Sequence, residues 1–242
     1  MKRKLLLAAL VIGSAGLASA ATLGGLGVRD TLTEATGLAR LSVGVDYAQL
    51  KRTMSMDEGL APELRARIIS AQLGFDVFPW LTVFATAGRS EAKFNMESAY
   101  HSGQFKWSAG LKANWWQYDL ADPEFMAGRL SFQSTAEFAQ YRSGERDEEL
   151  KWNEGYVDLT LNYEFFSTKM SDTAQYPYSL VLYVGPALSR IDGSAAGADF
   201  SEDRLVGVVG GVDLYLSHNL ALGGQVLHFD GNTLSASLRY HF

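Results

Sequence analysis

The last eleven residues, Asn232–Phe242, read NTLSASLRYHF and alternate without a break between apolar and polar side chains. The apolar set is Leu234, Ala236, Leu238, Tyr240 and Phe242. The polar set is Ser235, Ser237, Arg239 and His241. A period of two residues places these sets on opposite faces of a β-strand. The stretch therefore predicts a strand with one apolar and one polar face.

The same alternation recurs along the chain before this strand. It is found at residues 40–47, 69–77, 81–87, 105–115, 130–138, 157–165, 180–188, 206–216 and 220–226. Most of these stretches approach the roughly 9–11 residues that a tilted strand needs to cross a bilayer. A closed barrel is the only all-β arrangement that leaves no unpaired backbone edge in lipid. The sequence therefore predicts a closed antiparallel up-and-down transmembrane β-barrel of about ten strands.

Pro186 is the one misfit within these stretches, because proline cannot donate a hydrogen bond inside a sheet. We expect a bulge or the barrel rim at this position, and eight strands are the alternative count. The outer connections are predicted at residues 53–63, 89–103, 142–149, 191–204 and 230–231. Asp230-Gly231 is a typical two-residue hairpin sequence. These connections are short, so we do not expect a pore constricted by loops.

Aromatic residues prefer the two interfaces of a membrane, and the predicted strands sort them into two belts. The belt at the end that holds the chain terminus comprises Phe78, Trp80, Trp115, Phe165, Tyr178, Tyr240 and Phe242. The belt at the other end comprises Phe94, Phe105, Trp107, Phe138, Tyr141, Trp152 and Phe229.

The polar faces of the strands carry charges of both signs, which would point into the barrel. This predicted lumen charge network comprises Arg40, Asp46, Asp76, Lys106, Lys112, Glu137, Asp158, Glu164, Asp213 and Arg239. A small barrel has room for little beyond its own side chains. We therefore expect ion pairs and hydrogen bonds to plug the interior. The alternative is a narrow water-filled path with a mild preference for cations, since acids outnumber bases in this set.

The N-terminus predicts export. Lys2, Arg3 and Lys4 precede an apolar run, and Ala18-Ser19-Ala20 is a small-residue cleavage pattern. This is the organisation of a secretory signal peptide. We therefore divide the chain into a signal peptide at 1–20, a short periplasmic segment at 21–37 and a barrel domain at 38–242, with cleavage near Ala20.

The terminal strand resembles the closing strand of bacterial outer-membrane β-barrels, which typically ends in Phe with apolar residues at every second position before it. The chain is similar in size to the small barrel domains of the OmpA and omptin type. This resemblance implies a location in the outer membrane of a Gram-negative cell. It also implies that Leu238, Tyr240 and Phe242 form the insertion signal that the outer-membrane assembly machinery reads.

Charge and motifs limit the function classes. The 27 acidic and 21 basic residues give a formal net charge of −6, which argues against a nucleic-acid partner. Expected partners are the lipid bilayer and lipopolysaccharide. The acidic segments Glu145–Glu149 and Asp199–Asp203 are expected to be solvated loops, and the alternative is that they hold divalent cations or contact lipopolysaccharide through bridging ions. The four histidines are scattered among predicted opposite ends, which does not suit a metal site.

We expect a structural, adhesive or narrow-pore protein with no catalytic residues, cofactor or metal. One alternative is an outer-membrane enzyme that acts at the outer rim. For an omptin-like protease, His228 and Asp230 are the His and Asp closest in sequence. A lipid-modifying barrel would belong to the same class, although a Gly-x-Ser-x-Gly motif is missing from the sequence. The second alternative is a soluble periplasmic ligand-binding barrel.

Overall fold

The computed structural model describes residues 40–56, 61–120, 128–145, 149–166, 179–217 and 219–242. The predicted signal peptide, the segment 21–37 and Tyr178 lie outside the described residues. Within the described part of the chain, no helix is long and apolar enough to cross a membrane.

The described residues form eleven strands. They are β1 (Leu41–Met56), β2 (Glu63–Phe78), β3 (Leu81–Phe94), β4 (Gln104–Leu120), β5 (Gly128–Ser143), β6 (Leu150–Phe166), β7 (Ser179–Ala195), β8 (Ala198–Glu202), β9 (Val206–Tyr215), β10 (Leu220–His228) and β11 (Asn232–His241).

Ten of these strands form a closed antiparallel barrel, as the sequence predicts. Each of the ten pairs with the next barrel strand along the chain, β7 with β9, and the eleventh strand, β8, pairs with the ends of β7 and β1. The barrel closes where β1 pairs with β11, from Ser42 opposite His241 to Gln49 opposite Leu234. We call the end of the barrel that holds Leu41 and His241 the near end, and the opposite end the far end.

Strands β1 to β7 are longer than the alternating stretches from which they are predicted. β2 has 16 residues, which corresponds to roughly 50 Å of extended chain. The sequence-based prediction of loops at 53–63, 89–103, 142–149 and 191–204 was therefore partly wrong, because each segment includes described strand residues, from two in 142–149 to ten in 191–204. The far half of the barrel is built from these extensions.

The two halves of the barrel have opposite polarity. In the near half of β2, Leu73 points outward and is 54% exposed, whereas Gln72 points inward and is 6% exposed. In the far half of the same strand, Arg67 points outward and Leu64 is fully buried inside. β1, β3, β5 and β6 make the same exchange, so on these strands the near half is apolar outside and mostly polar inside, and the far half is the reverse. On β7 only the outward face changes, because its inward residues Val181, Tyr183 and Ala187 are apolar in the near half as well.

The far-half interior is a continuous apolar cluster, which we call the apolar plug. Its buried members are Ala48, Leu50, Met54, Leu64, Ala66, Ile68, Ala92, Phe94, Ala139, Tyr141, Leu150, Trp152, Ile191 and Phe200. Close packing of such side chains leaves few voids larger than a water molecule. The far half therefore resembles the core of a water-soluble barrel.

The short strand β8 closes the far half. It turns back from β7 through Ala196 and Gly197, which both have positive φ angles of 48° and 88°. Glycine adopts such angles without steric cost, which makes this tight reversal possible. β8 then pairs with Met54–Met56 of β1. It thereby joins β7 to β1 beyond the shorter strands β9, β10 and β11.

Pro186 lies in the interior of β7, so neither the predicted bulge nor the predicted rim position is found. On one side it stands opposite Val208 of β9. On the other side the ladder to β6 is interrupted between the pairs Asp158–Ala187 and Leu161–Val184, with no change of register. The sheet accommodates the missing donor by omitting pairs rather than by shifting strands.

The aromatic belt predicted for the far end was partly wrong. Phe105, Trp107 and Phe138 are exposed on the outer surface, as expected. By contrast, four predicted members of that belt are buried inside the barrel, namely Phe94, Tyr141, Trp152 and Phe229. They belong to the reversed far half, where inward positions are apolar.

Candidate functional site

The interior of the near half is the first candidate site, because most of the predicted lumen charges meet there. Eight of them are at most 8% exposed, namely Asp46, Asp76, Lys106, Lys112, Asp158, Glu164, Asp213 and Arg239. Glu137 faces the same interior from β5 and is half-buried. Arg40 does not join them, because it lies exposed before β1 begins. Its placement in the lumen network was wrong, since the strand begins one residue later.

Asp213 and Arg239 form a buried ion pair across β9 and β11. The Arg239 Nη2 donates to Asp213 Oδ1, and the two side chains are 0% and 3% exposed. Gly223 of the intervening strand β10 makes room for them. A Cβ atom at this position would lie 2.5 Å from Asp213 Oδ1 and 2.6 Å from Arg239 Nη2. The pair therefore depends on a residue with no side chain between its partners.

Other interior polar groups are bonded along and between strands. Lys106 Nζ donates to Thr86 Oγ1 and, at 3.3 Å, to Ser108 Oγ. Tyr156 donates to Asp158 Oδ2 at 2.9 Å. These side chains bond one another, as burial of polar groups favours. The buried atoms Asp46 Oδ1 and Asp158 Oδ1 have no hydrogen-bond partner among the described residues.

A cavity of about 80 Å³ lies where the polar near half meets the apolar plug. Its polar lining includes Asp46, Gln72 and Lys106, and its apolar lining includes Leu50 and Ile68. A space of this size holds a few water molecules.

A second ion pair, which the sequence-based reasoning missed, lies in the far half. Arg52 Nη1 donates to Glu202 Oε1 at 2.7 Å, and both side chains are fully buried. The Arg52 guanidinium also lies 3.7 Å from the centroid of the Phe229 ring. Ser189 donates to Glu202 Oε2 at 2.9 Å. Burial raises the pKa of the Glu202 carboxyl to about 7, and the positive charge of Arg52 opposes that shift.

The acidic segment Asp199–Asp203 was expected to be a solvated loop, with contact to lipopolysaccharide through cations as the alternative. The structure instead makes most of it β8, with Phe200 and Glu202 buried inside the barrel. The alternation of Asp199, Phe200, Ser201 and Glu202 was the available signal for a strand. Residues 146–148 of the other acidic segment lie outside the described residues.

The candidate rim enzyme site is built as a hairpin. His228 Nδ1 lies 2.7 Å from Asn232 Oδ1. Asp230 Oδ2 accepts from the backbone N–H of Thr53 at 2.7 Å, and its Oδ1 accepts from the N–H of Gly231. These bonds fix the turn between β10 and β11. Among the described residues, no group of three or more His, Cys, Asp or Glu side chains could hold a metal ion.

The predicted insertion signal lies on the outer surface of the near half. Leu238, Tyr240 and Phe242 are 38%, 44% and 49% exposed. The rings of Tyr240 and Phe242 pack edge to face with centroids 5.2 Å apart. The apolar face of the terminal strand therefore points away from the barrel interior.

The closed antiparallel barrel, with its apolar near-half exterior and polar near-half interior, is an up-and-down β-barrel of the transmembrane type. No family model matches the sequence, and no curated protein matches it.

Among solved structures, the chain is similar to the transport unit of the autotransporter AIDA-I from Escherichia coli, at 12% identity and a TM-score of 0.39, over 88% of this chain and 93% of that one. It is also similar to the outer membrane protease OmpT from Escherichia coli, at 11% identity and a TM-score of 0.38, over 87% and 100%. A third is the translocator domain of the autotransporter NalP from Neisseria meningitidis, at 12% identity and a TM-score of 0.36, over 86% and 90%.

All three TM-scores are low, so the comparisons carry no detailed argument. The assignment of the fold rests on the strand pairing of this chain. The small outer-membrane type of barrel expected from the terminal strand is confirmed at the level of fold.

Proposed function

We propose that this chain is an integral protein of the bacterial outer membrane, closed to solutes, with a structural or adhesive role at the cell surface. The observation that carries this proposal is the reversal of polarity halfway along the barrel. An apolar exterior suits lipid, and a polar exterior over an apolar core suits water. The near half would lie in the bilayer with its end in the periplasm, and the far half would project from the cell.

The apolar exterior of the near half favours a membrane protein over a soluble periplasmic barrel. Val45, Ile69 and Leu73 are each more than half exposed there. Soluble proteins rarely expose contiguous apolar surface of this kind, and outer-membrane barrels do. The lipid bilayer and lipopolysaccharide are therefore the proposed partners, together with the assembly machinery acting on Leu238, Tyr240 and Phe242.

The apolar plug favours a closed barrel over a narrow pore. Trp152 is 1% exposed and stacks on Tyr141 with ring centroids 4.8 Å apart. Such packing occupies the interior of the far half, and β8 completes the barrel wall around it by pairing with β7 and β1. We also propose that the protein is not an enzyme, because His228 and Asp230 are engaged in the hairpin that they stabilise.

Planar-bilayer conductance tests whether the barrel is closed. We expect the refolded protein to insert without stable current steps, because the apolar plug excludes water and ions. A general porin added to the same bilayer serves as the positive control. Reproducible single-channel steps from the protein would contradict the closed barrel and favour the narrow-pore alternative.

Arginine substitutions on the outer face of β6 test where the bilayer lies. An arginine facing lipid near the midplane of a barrel costs roughly 2–4 kcal/mol. We expect Leu161→Arg, in the near half, to lower the free energy of unfolding by about this amount. Asn153→Arg, on the same face in the far half, should change it little, because that position would lie in water. Urea titrations of the protein in lipid vesicles measure both, and equal losses would contradict the proposed boundary.

A further inference from the structure

The outer surface of β2 and β3 carries a cluster of cations where the apolar exterior ends. Arg67 of β2 and Arg89 and Lys93 of β3 all point outward. We call these three residues the basic patch. Tyr100, from the segment between β3 and β4, lies beside two of them.

The patch is ordered by contacts rather than being three independent side chains. The Arg67 guanidinium lies 4.3 Å from the centroid of the Tyr100 ring, and Lys93 Nζ lies 5.1 Å from the same centroid. Lys93 Nζ also donates to the backbone carbonyls of Glu97 at 3.1 Å and Ser98 at 3.3 Å. Cations held on a tyrosine ring keep their position while their remaining donors can bind an anion.

The charges of the basic patch are not balanced by nearby acids. Arg89 pairs with Glu91 at 3.3 Å, and Glu91 is also opposite Arg67 in the ladder. The adjacent Arg65 is paired with Glu63, and the carboxylate of Glu97 pairs with His101 at 3.1 Å. Glu91 and Glu97 beside the three cations of the patch still leave a surplus of positive charge. The opposite side of the barrel differs, because Lys151 pairs with Glu149 and Arg190 pairs with Asp192, each at 2.7 Å.

The basic patch lies at the level where phosphate groups of a membrane would be. Arg89 is opposite Ile69 of β2, the first apolar outward residue of the near half. On its other side Arg89 is opposite Phe105 of β4, which is 62% exposed. Aromatic residues mark the interface between hydrocarbon and headgroups. The patch therefore lies at, and just beyond, that interface.

We propose that the basic patch binds the phosphate groups of lipopolysaccharide. The lipopolysaccharide would lie in the outer leaflet of the membrane, around the part of the near half that adjoins the far half. This inference rests on the proposed membrane location and adds the binding site to it. Arginine presents a planar fork of donors that matches phosphate oxygens, and a charge-assisted bond of this kind is roughly twice as strong as a neutral one. Tyr100 would act as a positioning residue for Arg67 and Lys93.

The test is a titration of the refolded protein, in dodecyl maltoside micelles, with bisphosphorylated lipid A and with the same lipid after removal of its phosphates. We expect the phosphorylated form to bind at least about tenfold more tightly to the native protein, since each cation at an anionic membrane surface contributes measurably. The triple variant Arg67→Gln, Arg89→Gln, Lys93→Gln should lose this preference. The matched variant Arg142→Gln, Lys151→Gln, Arg190→Gln removes three charges elsewhere and should keep it.

Three results would overturn the inference. They are unchanged binding by the basic-patch variant, an equal loss in both variants, and equally tight binding of inorganic phosphate alone. Heat-modifiable gel mobility and insertion into vesicles, measured on the same proteins, report on the proposed function separately. A protein that inserts normally while the basic-patch variant keeps its lipid preference would disprove the site and leave the membrane location standing.

Discussion

Replacement of Trp152 by alanine should lower the free energy of unfolding by about 3–5 kcal/mol, the usual cost of removing a large aromatic side chain from a packed core. Trp152 is 1% exposed within the apolar plug and stacks on Tyr141. The cavity left behind would be lined by atoms that lose their packing partners. Urea titration of the refolded protein in lipid vesicles, followed by gel mobility, measures the loss.

Two controls separate packing from other effects of this substitution. Trp152→Phe should cost much less, because the indole N–H of Trp152 has no hydrogen-bond partner among the described residues and phenylalanine removes that buried donor. Trp107→Ala should also cost less, because Trp107 is 39% exposed on the outside, where lipid can fill the space. Similar losses for Trp152→Ala and Trp107→Ala would show that the far-half interior is not a packed core.

The near half of the barrel could be predicted from the sequence because its polarity follows one rule along each strand. Val157, Leu159 and Leu161 alternate with polar neighbours, and all three are exposed on the outer surface. The terminal strand was predicted with its bounds almost as found, and the count of ten barrel strands was correct. Local alternation suffices where one face meets lipid and the other faces the lumen.

The far half was missed because its alternation has the opposite phase. In β2, the sequence ELRARIIS places Glu63, Arg65 and Arg67 outside and Leu64, Ala66 and Ile68 inside. Two consecutive isoleucines, Ile68 and Ile69, mark the reversal. A search for apolar residues on a single face ends the strand at such a point and assigns the remainder to a loop. The adjacent apolar pair was the sequence signal for a strand that leaves the membrane and continues.

The buried ion pairs could be predicted only in part. Asp213 and Arg239 were both expected inside the barrel, but their contact depends on a register across β9, β10 and β11 and on the space that Gly223 provides. Arg52 and Glu202 are 150 residues apart in sequence. Their contact forms because β8 crosses to the end of β1, and local sequence carries no signal for that crossing.

Removal of one partner from the Asp213–Arg239 pair should be among the most damaging single changes in the near half. Asp213→Ala leaves the guanidinium of Arg239 fully buried. Removing one partner of a buried ion pair lowers the free energy of unfolding by roughly 3–5 kcal/mol. Asp46 also interacts electrostatically with Arg239 and should reduce this cost in part. We therefore expect a loss of about 3 kcal/mol in the free energy of unfolding.

A double variant tests whether the loss arises from the isolated charge. Asp213→Leu combined with Arg239→Met replaces both partners by apolar side chains, and buried ion pairs replaced in this way are often tolerated with little loss of stability. We expect the double variant to be clearly more stable than Asp213→Ala alone in urea titrations of the refolded protein. If the double variant were the less stable of the two, Arg239 would be stabilised by partners other than Asp213, and the loss in Asp213→Ala would not arise from an isolated buried charge.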